Sequence, residues 1–311
     1  MRSANHPDSD RSTEVLRNVQ TPAALAVYYR VRGLDLSSAL NQHSIPPGDS
    51  EPSSNIAEDL KLAVNHLKSE GWDMASGRLN YGYLRHSPAF ARYTSTASQL
   101  RTFDLSKLKD GPERKAFWIN VYNALIIHAV IVFDIQTSVK EHPGFFDRAA
   151  YVINGMRFSA NDIEHGILRA NAGHPAIPGP QFTVRDPRTQ YCEPTVDPRI
   201  HFALVCAARS CPPIGVYSAG LLDAQLDLAT RHFVNHGGTI VLPEMKTVAL
   251  SRIFSWYASD FGAQWFGYRK QHMLLEYVCQ YLENDEALRF VQANLRQLKV
   301  RFLAYDWNLN V

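Results

Sequence analysis

Residues 197–214 read DPRIHFALVCAARSCPPI, and the fold turns on how this stretch is read. His201 to Val205 has the β-branched, apolar composition of a buried strand. The run Arg209-Ser210-Cys211-Pro212-Pro213 must leave any sheet, because proline has no N–H to give to a ladder. The sequence therefore predicts a strand over 201–206 with Cys211 at its exit, where folds of helices and strands tend to carry reactive groups.

Working outward, the clearest helix is predicted over 112–133. Pro112 suits a first helical turn, and the body AFWINVYNALIIHAVIVF is apolar enough for a central buried helix. Asn120 and Asn123 lie three apart on one face, and a buried amide must find partners. Either they tie loops to the helix or they face a substrate. Tyr151 to Phe158 predicts a hairpin, since Asn154-Gly155 is a favoured two-residue turn. Ser159 then caps a helix over 160–170 that carries Glu164, His165 and Arg169. The four-residue step from His165 to Arg169 lets both point into one site, with Glu164 facing away. Downstream come an amphipathic helix over 218–235 stopped by Gly237-Gly238, a strand over 239–242, an aromatic helix over 250–261, and helices near 271–283 and 285–295.

Upstream, residues 1–21 have the composition of a disordered tail, and 43–55 form a Pro/Ser/Gly-rich break. Residues 22–78 are expected to be a helical N-terminal extension, with helices near 22–32 and 56–70, and 79–311 the core domain. The predicted class is α+β, a predominantly helical domain around a small β-sheet.

The chain has 311 residues, 45% of them hydrophobic, so it can bury a sizeable core. A formal charge of +2, with 20% charged residues and no Lys/Arg-rich run, argues against nucleic acid or an anionic membrane as partner. The polar first residues lack the apolar stretch of a secretory signal, and no later apolar run is read as membrane-spanning; a cytoplasmic protein is expected. Cys192, Cys206, Cys211 and Cys279 show no disulfide-framework spacing and are read as thiols. No glycine-rich phosphate loop or dinucleotide fingerprint is present, so no cofactor is predicted. The Cys206–Cys211 spacing does not fit a structural zinc pattern, nor is Glu164-His165 the two-histidine metallopeptidase motif, so no metal is predicted.

Five pieces in order, FWINVYNALIIHAV at 117–130, IEHGILR at 163–169, the 197–214 stretch, LSRIFSWYASDFG at 250–262 and YDWNLN at 305–310, resemble a known family. It is the domain-of-unknown-function family 547, found in bacteria and plants, and the resemblance runs from about residue 79 to the C-terminus. It implies a shared fold more than a shared reaction. One departure is Ala207, where such proteins more often have glycine; a slightly altered turn is expected.

Cys211 precedes two prolines and would stand at a helix N-terminus, whose dipole stabilises a thiolate. A thiol nucleophile needs a base and a group that orients the base. His165 is the expected base. His201 competes, but at strand rise it would lie about 17 Å from Cys206. Asn120, Asn123 or Asp260 would orient the base. Tyr122, Asn123, Arg169, Trp256, Tyr257 and Asp260 are the expected substrate-binding residues, the aromatic ones as pocket walls. The expected function is a thiol-dependent hydrolase or acyl transferase acting on a small molecule or peptide. The layout is similar to a distant or permuted papain-like or transglutaminase-like arrangement, with cysteine and histidine in reversed order. The alternatives are a non-catalytic ligand- or peptide-binding module, and a non-covalent biosynthetic enzyme of cyclase or isomerase type using histidine acid–base chemistry in the same pocket.

Overall fold

The computed structural model describes residues 21–42, 56–74, 78–109, 111–265 and 268–310. The tail expected over 1–21, save Thr21, and the break expected over 43–55 lie outside the described residues. Helix α1 (Ala23–Arg32) buries only Leu25 and ends at Gly33 in the left-handed conformation, as expected of a peripheral helix. Helix α2 (Ile56–Gly71) spaces Ile56, Leu60, Val64 and Leu67 three or four apart and buries all four. This puts part of the expected N-terminal extension into the main core. Helix α3 (Pro88–Gln99) starts at Ser87, whose hydroxyl accepts the Phe90 N–H, with Pro88 in the first turn. Helix α2 packs against both α3 and α4 (Pro112–Val132). Contrary to the sequence expectation, α4 is long and apolar enough to cross a membrane, yet 89% of an 18-residue apolar window within it is buried inside the fold.

The predicted hairpin is present as β1 (Ala150–Ile153) and β2 (Met156–Ser159), paired from Ala150↔Ser159 to Ile153↔Met156. Its turn places Asn154 and Gly155 at φ +49° and +71°, the two positive values that a type I′ turn requires. The next segment, Asp162–Leu168, is π-helical instead of α-helical. Its wider winding is seen in the Arg169 N–H, which reaches back five residues to the Glu164 carbonyl at 2.9 Å.

Helix α5 (Leu222–Phe233) leads through a turn at Gly237 into β3 (Thr239–Leu242), which pairs antiparallel with β4 (Thr247–Leu250). After α6 (Arg252–Trp256), α7 (Gln271–Cys279) and α8 (Asp285–Asn294), β5 (Lys299–Phe302) joins β4 in parallel, the long crossover such pairing needs. The aromatic helix expected over 250–261 is reduced to α6, because the chain turns after Trp256 and Gly262 takes φ +71°. The apolar side chains form two clusters: a larger one around α2, α3, α4 and the hairpin, and a smaller one around Phe254, Leu275 and the three-stranded sheet.

The fold is thus α+β and mostly helical, but the predicted strand over 201–206 does not form. Residues Pro198–Phe202 make a 3₁₀ helix, with the Asp197 carboxylate accepting the Arg199 N–H at 3.1 Å. Ala203 ends that helix in the helical region, residues 204–206 have no regular secondary structure, and Asn123 on α4 takes the place of a neighbouring strand. Its amide donates to the Ala203 carbonyl and accepts the Val205 N–H, each at 3.0 Å. Asn120 treats Tyr217 the same way, at 2.8 Å in both directions.

Candidate functional site

The segment after the 3₁₀ helix delivers Cys206 to a cavity of about 330 Å³ between the two apolar clusters, lined by Tyr122, Glu164, His165, His174, His201, Cys206, Cys211, Trp256, Tyr257, Tyr305 and Trp307, among others. A larger cavity, about 590 Å³, lies beside Tyr81, Arg85 and Asp134 and contains neither thiol. Chemistry, not size, makes the smaller one the candidate.

The two thiols differ in what they are bonded to. The Cys211 sulfur accepts the Cys206 N–H at 2.8 Å and its S–H points at the Leu204 carbonyl, 3.7 Å away, so it closes the turn between them. Burial, reinforced by the neighbouring Cys206, pushes the Cys211 thiol well above its ordinary range. Cys206 instead meets the Tyr305 hydroxyl at 3.0 Å. The adjoining Cys211 side chain, together with the Tyr305 hydroxyl, outweighs burial and brings the Cys206 thiol below its ordinary value. Of the two thiols, Cys206 is the one whose surroundings favour the thiolate.

The imidazoles are assigned by their partners. Burial and the adjacent Arg169 cation keep His165 neutral, well below the ordinary imidazole range. Arg169 Nη1 donates to His165 Nδ1 at 3.2 Å, while Glu164 Oε1 is too distant from that nitrogen, at 3.8 Å, for a hydrogen bond. A guanidinium cannot accept, so the His165 proton sits on Nε2 and the ring offers the cavity a donor. That does not suit the general base expected at this position. His201 is the reverse case. Its Nε2 lies 2.8 Å from Asp260 Oδ2. Burial disfavours the Asp260 carboxylate, yet a two-point clamp by Arg169, at 2.6 and 2.9 Å, together with His201 holds its carboxyl far below the usual range. An ionised carboxylate only accepts, so His201 Nε2 carries the hydrogen of that bond, and Nδ1 is the ring nitrogen not engaged by Asp260. The ring stacks on Tyr257 at 3.9 Å between centroids.

The strand-rise spacing does not apply once the strand is absent, and a 3₁₀ turn sets His201 and Cys206 on the lining of one cavity. Glu164 does not face away. The π-helical winding narrows the angle between successive side chains, and Glu164 sits between the hydroxyls of Tyr122, 2.9 Å, and Tyr257, 2.5 Å. Trp256 packs with Tyr305 and Trp307 into an aromatic wall. Asn120 and Asn123 have their amides committed to backbone groups. His174 is a lining residue the sequence did not flag, and its residue type alone gave no signal. Among the described residues no three histidine, cysteine, aspartate or glutamate side chains converge as a metal-binding group.

The Cys206–Cys211 turn and Asn120 and Asn123, which bond the backbone on either side of it, lie in one continuous part of the chain. Residues 105–234 match the family described as protein of unknown function, DUF547. The DUF547 match takes in α4, the π-helical segment, His201 and both thiols, and it stops short of the pieces at 250–262 and 305–310 that the resemblance also covered. Trp256, Tyr257 and Tyr305 thus reach the cavity from beyond the matched part, and Asp260 reaches His201 from there. No curated protein and no solved structure matches the chain.

Proposed function

We propose that the protein is a cytoplasmic thiol-dependent hydrolase or acyl transferase for a small-molecule or peptide acyl donor, with Cys206 in place of Cys211 as nucleophile and His201 in place of His165 as base. One observation carries this reading: Cys206 lines the same cavity as His201, and His201 is bonded to the Asp260 carboxylate that Arg169 clamps from behind, while the Cys211 sulfur is engaged by the Cys206 N–H. In this mechanism His201 Nδ1 takes the thiol proton and the sulfur attacks the acyl carbon. The His165 Nε2–H donates to the oxygen on which charge develops. His201 then passes the proton to the leaving group, and water or an acceptor nucleophile releases the acyl chain. Asp260 keeps His201 in the required tautomer, and Arg169 keeps Asp260 ionised. The aromatic wall of Trp256 and Tyr305 favours a donor with a flat or apolar acyl group.

The probe is p-nitrophenyl acetate. A stoichiometric acetyl adduct on Cys206 is expected by peptide mass mapping, lost in Cys206→Ala, with acylation slowed on the order of 10²–10⁴-fold in His201→Asn. An adduct on Cys211, or none, overturns the assignment. A second reading is favoured by Glu164, whose carboxylate is held by two tyrosines at the cavity: non-covalent proton transfer of cyclase or isomerase type. It predicts no adduct at any cysteine, and ligand binding lost in Glu164→Gln but kept in Cys206→Ala.

A further inference from the structure

We propose that Cys206 and Cys211 together form an oxidation site, a dithiol that a hydroperoxide closes to a disulfide, which goes beyond the acyl-transfer reading. The two sulfurs are held together by backbone and not by chance packing. The Cys206 N–H is bonded to the Cys211 sulfur at 2.8 Å, and the Cys211 N–H closes a turn onto the Ala208 carbonyl at 3.0 Å. Between them Ala207 takes φ +61°, which reverses the chain. The turn is fixed from outside as well. Arg209 N–H donates to the Asn308 carbonyl at 2.8 Å, and Asn310 N–H to the Ala207 carbonyl at 3.0 Å, while Ser210 Oγ accepts the Asp306 N–H at 2.8 Å. A thiol with raised thiolate character beside a second, protonated thiol is the arrangement in which sulfenic acid is resolved rapidly.

The Cys206 thiolate attacks the outer peroxide oxygen, the O–O bond breaks, and the alcohol leaves after taking a proton, giving Cys206 sulfenic acid. The Cys211 sulfur then displaces the sulfenic oxygen, which departs as water with the Cys211 proton. The S–S bond forms, and the two electrons lost by the thiols reside in the reduced peroxide. An external dithiol reverses the step. Closure blocks Cys206 as a nucleophile.

Arg209 lies between the cysteines, so trypsin separates them. The protein is treated with hydrogen peroxide, blocked with iodoacetamide and digested without reductant. The expected result is one species joining the Cys206 peptide, 200–209, to the Cys211 peptide, 210–231, which falls apart on reduction. Cys211→Ser should instead carry Cys206 to sulfinic acid. Separate peptides in the wild-type digest, with Cys206 alkylated or over-oxidised, overturn the inference; this readout needs no variant to fold. Acetylation by p-nitrophenyl acetate of the same sample separates the two proposals. A joined peptide with undiminished acetylation keeps the oxidation site and removes Cys206 as nucleophile, and separate peptides with acetylation lost on Cys206→Ala do the reverse.

Discussion

Ala207 shows how much of the site depends on a single backbone angle. It is buried, at φ +61°, where a Cβ crowds the following carbonyl at a cost of roughly 1–2 kcal/mol. The resemblance to the family led us to expect glycine here, and the observed angle gives the physical reason. The strain is maintained because Asn310 and Asn308 hold the turn from the other side. Ala207→Gly relieves it but gives the unfolded chain more freedom, offsetting about 0.4–1 kcal/mol. The expected net effect is a gain of up to about 1 kcal/mol in urea unfolding; a loss of stability would mean the angle carries no strain. The thiol assignment also belongs to this scale. Residue type and position predicted a reactive cysteine in the 197–214 stretch and both sulfurs line the cavity, but which of them is engaged by the turn depends on which one accepts the Cys206 N–H, and no pattern in the sequence encodes that.

At the scale of elements, the features legible in the sequence were those specified by neighbours in the chain: α4 from its apolar body and the hairpin from Asn154-Gly155. The segment at 203–205 was misread because its hydrogen-bonding partner is a side chain eighty residues away on a helix, an arrangement with the same local composition as a strand. The π-helical segment was misread for a related reason. Gly166 is pressed by the Phe182 ring so closely that a Cβ would come within 2.2 Å of it, and the wider winding that accommodates this contact also turns Glu164 inward. If Asn123 stands in for a strand, Asn123→Ala leaves a buried carbonyl and a buried N–H without partners, at about 1–3 kcal/mol each. We expect a fall of that order in unfolding free energy, together with faster alkylation of Cys206 as the segment loosens. Asn123→Asp keeps the acceptor for Val205 and should restore part of the stability only at low pH, where the acid can also donate to Ala203. Wild-type stability and alkylation rate in Asn123→Ala would show that the amide is not the partner.

For the molecule as a whole, the charge state of the interior predicts how it fails in acid. Burial lowers His128, deep in α4, to about 3 and holds His165 neutral as well. Unfolded, each imidazole takes up a proton near pH ~6.5, whereas the folded protein does not, so their contribution is complete above that pH. As pH falls through that value, stability drops at about 1.4 kcal/mol per unit for each group, until the folded pKa is reached. The depressed carboxyl of Asp260 adds a further loss below about 3.9, where the unfolded chain begins to protonate it. Urea midpoints measured from pH 7 to 4 should therefore decline steadily, with a shallower slope in His128→Gln. A flat profile, or an unchanged slope in the variant, would mean that His128 is not buried as a neutral ring.

The clamp that Asp306, Asn308 and Asn310 place on the thiol turn also has a bearing on timing. Its hydrogen bonds join positions 96 to 103 apart in the chain (Ser210–Asp306 and Ala207–Asn310), contacts that form late because a long loop must close first. Until that closure the turn has only its local bonds, and Tyr305 has not yet met Cys206. During folding, both sulfurs are then open to whatever oxidants or electrophiles surround the chain. Refolding yield should therefore depend more steeply on the reducing power of the buffer than the finished protein does, and the first lesion found in failed molecules should lie at Cys206 or Cys211.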